Sequence, residues 1–150
     1  PYHPDRAVMQ ALKSGDRARF SMTVQPADTV PALFADRNAF PEMPVVFATA
    51  NMVGLMEWAC VEQMRPFYED GEGSLGVHVD VDHTAPTLPG QVVTVETEVE
   101  QVDGRFIWFK VVAHDGIDQI GAGRHRRAVI RNEKFNDRLV TKRAQAGLEG

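Results

Sequence analysis

The chain has 150 residues, with 16 basic side chains against 21 acidic ones and a formal net charge of −5. That length is one domain able to bury roughly 68% of its unfolded surface, and the acidic balance argues against nucleic acid, whose phosphate backbone needs a basic footprint. No uncharged apolar run reaches the roughly 18 residues of a membrane span, and the N-terminus lacks the basic start and apolar middle of a signal peptide, so a cytoplasmic protein is expected, with a core from about residue 16 to about residue 136 between flexible tails.

Arg17 to Gln25 alternates, with Phe20, Met22 and Val24 on one side and Ser21 and Thr23 on the other, which predicts a strand with one buried face. Pro26 to Pro44 contains four prolines and has no sustained period; an irregular stretch of that length is a loop, and in a small domain often a lid or binding segment. Val46 to Cys60, VFATANMVGLMEWAC, is almost wholly apolar with one carboxylate, Glu57, inside it. It predicts a buried helix from about Ala48 to about Arg65, stopped by Pro66. Cys60, the single cysteine, has no internal disulfide partner and reads as a small core hydrophobe. After the Glu69-Asp70-Gly71-Glu72-Gly73 turn, Val77, Val79, Val81 and His83 share one face of a strand, and His78, Asp80 and Asp82 share the other. Gln91 to Val102 follows, with an acidic wet face. Asp103-Gly104 is a hairpin dipeptide leading into Arg105 to His114. Asp115-Gly116 turns the chain into Ile117 to Arg131, where Gly121 and Gly123 mark a bulge or a close backbone contact. Arg124, Arg126 and Arg127 lie in that strand and can at most address a small anion.

Five strands, mostly antiparallel, with one long apolar helix make an α+β chain. The arrangement that hides such a helix is a hotdog fold, the curved sheet wrapped around it. The open sheet edges point to edge-to-edge pairing in a homodimer.

An ionised glutamate among apolar residues is costly unless it is paired or has a task. Glu57 and His83 are candidates for an acid/base pair that activates water or a hydroxyl. Thr49 supplies such a hydroxyl, and the helix start supplies free amides and the positive end of the helix dipole, suited to the oxyanion of acyl transfer. Thr49 is equally placed to be an N-cap, Glu57 to be half of a structural ion pair, and His83 to be a structural histidine; His78, His114 and His125 read as surface or structural residues. In one straight helix Thr49 and Glu57 stand about 12 Å apart. Either Thr49 belongs to the entering loop, or the site draws residues from two subunits. No histidine or cysteine spacing suits a metal, and none is expected.

The segments FATANMVGLMEWAC, GEGSLG with its strand to His83-Thr84, AHDGIDQIGAG and RAVIRNEKFN together resemble the fluoroacetyl-CoA thioesterase family of hotdog proteins. The resemblance covers most of Phe47 to Asn136. It implies that Thr49, Glu57 and His83 form the catalytic set, that the amide of Gly76 meets the thioester carbonyl, and that Arg127 contacts CoA or the catalytic groups. The chain departs from the family in Pro26 to Pro44, where Met43-Pro44 reads as an insertion and Phe40 matches one phenylalanine of an aromatic lid, so the acyl specificity is left open. The function implied is hydrolysis of a short-chain acyl-CoA, CoA being part of the substrate and no separate cofactor being needed. A hotdog enoyl-CoA hydratase and a non-catalytic acyl-CoA binding module are the alternatives.

Overall fold

A computed structural model describes residues 12–148. Five strands, β1 (Arg17–Thr23), β2 (Glu72–His83), β3 (Val92–Asp103), β4 (Phe106–His114) and β5 (Gln119–Arg131), form one sheet in the order β1-β3-β4-β5-β2, each neighbouring pair antiparallel. The long helix α1 (Thr49–Met64) packs on one face of this sheet, which is the predicted hotdog arrangement. Its buried residues Met52, Leu55, Met56, Ala59, Cys60 and Met64 recur every three or four positions and meet Val93, Val95, Val99, Ile107, Phe109, Val111 and Ile120 from the strands. Each large side chain buried this way contributes roughly 1.5–3 kcal/mol relative to exposure. Near the end of α1, Gln63 is pinned by Thr97, whose hydroxyl donates to Oε1 at 2.7 Å, while Nε2 donates to the Asp16 carbonyl at 3.1 Å. Pro66 then sits in a single 3-10 turn, Arg65–Phe67, and the helix stops where the sequence indicated.

The helix is not buried all round. Ala50, Gly54 and Trp58 form an exposed stripe, with Val53, Glu57 and Val61 half-buried beside it. This corrects the reading of α1 as a core helix on every side: the apolar residues outnumber those the single sheet can cover. The predicted loop holds three short 3-10 turns, Pro26–Asp28, Val30–Ala32 and Ala35–Arg37, and places Phe34 in the left-handed region at φ 49°. A bulky side chain there costs on the order of 1–3 kcal/mol.

Gly121 and Gly123 resolve as close contacts: a Cβ at Gly121 would meet the Met52 sulfur at 2.7 Å and the Asp82 carbonyl at 2.8 Å, and one at Gly123 would meet the Asp80 carbonyl. Glycine is required there so that β2 and α1 can approach. The Asp115 turn is closed by its own side chain, whose Oδ1 accepts from the amides of Ile117 and Asp118 at 3.0 and 2.8 Å and whose Oδ2 accepts from the buried Thr87 hydroxyl at 2.9 Å. Burial opposes its charge, but these donors prevail and hold the carboxyl below its ordinary value.

The C-terminal tail, expected to be flexible beyond about residue 136, is instead a helix, α2 (Asn132–Gln145). Glu133 in its first turn and Lys142 and Arg143 in its last complement the helix dipole, and Gly147 at φ 69° ends it as the Leu148 amide returns to the Arg143 carbonyl. None of its residues is buried, so no apolar periodicity announces it. The N-terminal tail lies outside the described residues.

Candidate active site

The sequence-derived residues fall into two clusters about two helical turns apart. At the start of α1, Thr49 Oγ1 lies 2.8 Å from His83 Nδ1. Ala48 occupies the N-cap position with extended backbone and no side-chain capping bond. Thr49 is therefore the first helical residue rather than the cap, and its hydroxyl is left for the imidazole. The first amide used within the helix is that of Met52, bonded to the Ala48 carbonyl, so the donors ahead of it face the entrance. Val30, Phe47, Thr84 and Pro86 help wall a cleft of about 330 Å³ containing both Thr49 and His83. His83 Nε2 is buried with no hydrogen-bond partner, and burial lowers the ring's pKa from its ordinary value against the opposing pull of the Ala85 backbone. The imidazole is thus neutral at pH 7, one nitrogen engaged and the other open.

The second cluster surrounds Glu57. Its Oε1 accepts from Arg127 Nη1 at 2.9 Å, and that same nitrogen donates to His125 Nε2 at 3.1 Å. Arg127 Nε donates to Ser74 Oγ at 2.8 Å and Nη2 to the Ser74 carbonyl at 3.0 Å. Ser74 Oγ is in turn 2.6 Å from the Tyr68 hydroxyl, so the guanidinium is fixed on every edge. The guanidinium is an obligatory donor, so His125 Nε2 carries no proton; the proton sits on Nδ1, which donates to the His78 carbonyl at 2.8 Å. Burial, reinforced by the adjacent Arg127 charge, lowers the His125 pKa against the opposing pull of His78 and Glu57. The 3.8 Å approach of His125 Nε2 to Glu57 is then that of two acceptors sharing one donor rather than an ion pair. Glu57 keeps 39% of its side chain exposed while Arg127 keeps 7%: the cation is the buried anchor and the carboxylate faces the opening.

Gly76 belongs to this cluster. A Cβ on it would collide with Glu57 Oε1 and lie 3.0 Å from His125 Cε1 and 3.3 Å from Arg127 Nη1. Only a glycine lets β2 pass so close to the carboxylate.

Within one chain, then, Glu57 is partnered by Arg127, whose Nη1 it shares with His125, and not by His83, so the expected acid/base pair is not formed inside the protomer. Of the two expected readings of His125, surface or structural, the structural one holds: it is 1% exposed and its ring abuts the glutamate's cation. Strand phase held the missing signal, because His125 lies two residues before Arg127 and must share its face. Tyr68 and Ser74 had no such mark in the sequence. Phe40 is half-buried in the loop and is not among the walls of the Thr49 cleft. The arginine cluster splits between faces: Arg124 and Arg126 lie over the Trp108 ring at 4.2 and 5.0 Å, while Arg127 points inward.

One irregularity in β2 links the clusters. Its register with β5 slips between Gly76 and His78, leaving Val77 as a bulge. Gly76 and His83 are an odd number of residues apart and would face opposite sides of a regular strand; the extra residue puts both on the α1 side.

A hotdog sheet with a hydroxyl–imidazole pair at a helix start and an arginine-held carboxylate further along defines a candidate hydrolase of the acyl-transfer type. The comparisons narrow the class. A family model described as fluoroacetyl-CoA-specific thioesterase matches residues 24–133. The fluoroacetyl-CoA thioesterase of Streptantibioticus cattleyicolor is 50% identical over 135 residues, covering 90% of this chain and 97% of that protein. Among solved structures, a phenylalanine-to-alanine variant of the fluoroacetyl-CoA-specific thioesterase in complex with fluoroacetate and CoA aligns with a TM-score of 0.80 at 52% identity, over 83% of this chain and 99% of that one. A thioesterase superfamily member from Thermus thermophilus aligns with a TM-score of 0.75 at 31% identity, over 89% and 96% of the two chains. The chain belongs to the fluoroacetyl-CoA-specific thioesterase family, and it is a thioester hydrolase.

Proposed function

We propose that this thioester hydrolase cleaves a short acyl group from coenzyme A, as a homodimer in the cytoplasm, with Thr49, Glu57 and His83 as its catalytic residues. The observation that carries the reading is the 2.8 Å contact between the Thr49 hydroxyl and a neutral imidazole whose other nitrogen is open, at a helix start. His83 takes the proton of the attacking oxygen, that of Thr49 or of a water beside it, and returns it to the departing thiol. The helix-start amides and the Gly76 amide face the carbonyl oxygen as it becomes an oxyanion. Glu57, held in place by the Arg127 guanidinium, orients the attacking water.

Bringing the two clusters together takes a second copy. Strand β2 is a long free edge with Leu75, Val77 and Val79 exposed at 38–43%, whereas the other edge, β1, is short and carries Arg17 and Arg19 paired to Glu98 and Glu96. An unblunted apolar edge invites pairing. Antiparallel β2–β2 pairing about a two-fold axis near Val79 and Asp80 sets Gly76 and Glu57 of one protomer opposite His83 and Thr49 of the other, all on the helix side because of the bulge. The exposed stripe Ala50, Gly54 and Trp58 then has a surface to meet.

Mixing two inactive variants tests this. Glu57→Ala and His83→Ala should each fold, dimerise and fail to release thiol from acetyl-CoA or fluoroacetyl-CoA. Unfolded and refolded together, random pairing restores one intact site in half of the dimers, about a quarter of wild-type activity. Retained turnover in both single variants would dismiss the catalytic assignment. No recovery on mixing would confine the site to one chain.

A further inference from the structure

Arg127 Nη1 serves two acceptors at once, Glu57 Oε1 at 2.9 Å and His125 Nε2 at 3.1 Å, one for each of its hydrogens. The two acceptors are unequal. Glu57 keeps 39% of its side chain exposed and has solvent as an alternative, whereas His125 is 1% exposed and has none. The imidazole therefore fixes where Nη1 stands, and the carboxylate follows.

The ring has a single workable arrangement. Its Nδ1 donates to the carbonyl of His78, the residue at which β2 regains its register after the bulge. Turning the ring over about its Cβ–Cγ bond would set carbon atoms against both the His78 carbonyl and Arg127, losing two buried hydrogen bonds. Nε2 is thus bare whenever the network is intact. A proton on it would place two donors 3.1 Å apart, with Glu57 Oε1 standing 3.8 Å away as an acceptor for the new N–H. The carboxylate would then be drawn off Nη1 toward the imidazolium.

Among the described residues, the charged or titratable groups acting on the ring are Arg127 on its own strand, Glu57 on α1 and His78 on β2, whose own ring packs against Trp108. From β4 the residue opposite is Phe109, which carries no charge. Cys60 of α1, close enough to feel Arg127 and Glu57, is kept a neutral thiol by burial. Burial likewise raises the pKa of Tyr68, which reaches the cluster through Ser74. In the acid range the groups that titrate here are then the imidazoles and the carboxylate. Burial, reinforced by the Arg127 charge, keeps His125 neutral near pH 7.

We propose that His125 is a positioning residue of the hydrolase: as a neutral acceptor it holds the Arg127 donor against Glu57, and uptake of a solvent proton at Nε2 pulls Glu57 off that donor and stops turnover. The proposal rests on Glu57 being needed for thioester hydrolysis.

The test compares wild type with His125→Gln, whose amide oxygen accepts from Arg127 but takes no proton, and with His125→Leu, which removes the acceptor. At pH 7.5 the glutamine variant should keep kcat for acetyl-CoA within about threefold, while the leucine variant loses at least about tenfold with KM within about twofold. Below pH 6.5, over the range in which intrinsic fluorescence shows both proteins folded, the acid limb of kcat should be steeper by one proton in wild type than in the glutamine variant. Limbs of equal steepness, or a folded leucine variant as active as wild type, would overturn the assignment; if the leucine variant does not fold, the comparison of limbs decides it. Nitrogen NMR of histidine-labelled protein reads the same proton without turnover. His125 should be the Nδ1–H tautomer at pH 7.5, and the Glu57 carboxyl carbon should follow its titration in wild type but not in the glutamine variant. An Nε2–H tautomer, or a Glu57 signal that ignores the His125 titration, would overturn the contact. Turnover retained in Glu57→Ala would instead count against the role of Glu57 in the reaction, and the NMR titration would still decide whether His125 sets its position.

Discussion

Gly76→Ala is the most discriminating single change in the site. The added methyl falls on Glu57 Oε1 and presses on His125 Cε1 at 3.0 Å, with Arg127 Nη1 at 3.3 Å. Arg127 and His125 are buried and fixed by hydrogen bonds to Ser74 and to the His78 carbonyl, so the half-exposed glutamate is the group that must yield. Overpacking of this kind costs about 1–3 kcal/mol; since the displaced atom ends a flexible side chain with access to solvent, the lower end applies, about 1 kcal/mol. Activity has no such relief. Moving the carboxylate by about 1 Å breaks its 2.9 Å contact with Arg127, and misplacement on that scale costs about a hundredfold in rate, equivalent to about 2.7 kcal/mol of transition-state stabilisation. Urea unfolding and steady-state thiol release on the same preparation separate the two effects. A folded variant whose kcat stays within about threefold of wild type would refute the reasoning, because it would show that the reaction does not depend on where Glu57 Oε1 sits.

Arg127→Met should cost about 3 kcal/mol in urea unfolding, since it leaves the Ser74 and His125 acceptors and a carboxylate without their donor; a loss below about 1 kcal/mol would show that the network is not structural. Thr49→Val should change stability by less than about 1 kcal/mol, the side chain being exposed, yet reduce kcat at least about tenfold, while Thr49→Ser keeps most of the rate; equal rates for Val and Ser would remove the hydroxyl from the mechanism. The pH dependence has a definite sign. His83 and His125 both have folded pKa values below the ordinary 6.5, so the unfolded chain binds more protons just below that pH, and stability must fall as pH drops through about 6.5 toward the folded values. Unfolding midpoints at pH 7.5 and pH 5.5 check this, and a protein more stable at the lower pH would contradict the buried neutral histidines. For the same reason the acid limb of kcat/KM should have its midpoint below 6.5, and a midpoint above 7 would argue against His83 as the base.

Much of the fold was legible because local signals and tertiary demands coincide. Period-two runs in β1, β3 and β4 face a single buried layer, and Asp103-Gly104, Asp115-Gly116 and Pro66 punctuate the chain where the structure turns or stops. Helix α2 was not legible because its apolar residues, Phe135, Leu139 and Val140, cover no core and leave no stripe to read. At the site, residue identity was easier to read than partnership. Thr49, Glu57, His83, Gly76 and Arg127 could be named as candidates, but which of them meet depends on the register of β2 against β5, and no local sequence feature fixes that register. His125 was set aside on its own, although its phase relative to Arg127 places it beside Glu57.

The bulge at Val77 resolves the difficulty raised by the helix spacing. Thr49 and Glu57 stand too far apart along α1 to act together in one protomer, and the structure gives each its own partner on β2 or β5. Had β2 been regular, the two-fold pairing that sets Gly76 opposite His83 would have placed one of them on the outer face. The extra residue restores their common side, so that in the proposed dimer the β2 edge, open among the described residues, would carry the two halves of one site at its two ends. Deleting Val77 leaves Gly76 and His83 six residues apart, an even spacing that keeps both on one face of a regular strand, so the deletion variant should fold, dimerise and keep thiol release. Sedimentation would report the dimer and a thiol assay the site; a deletion variant that dimerises but has lost turnover would show that the bulge does more than set the phase of the strand.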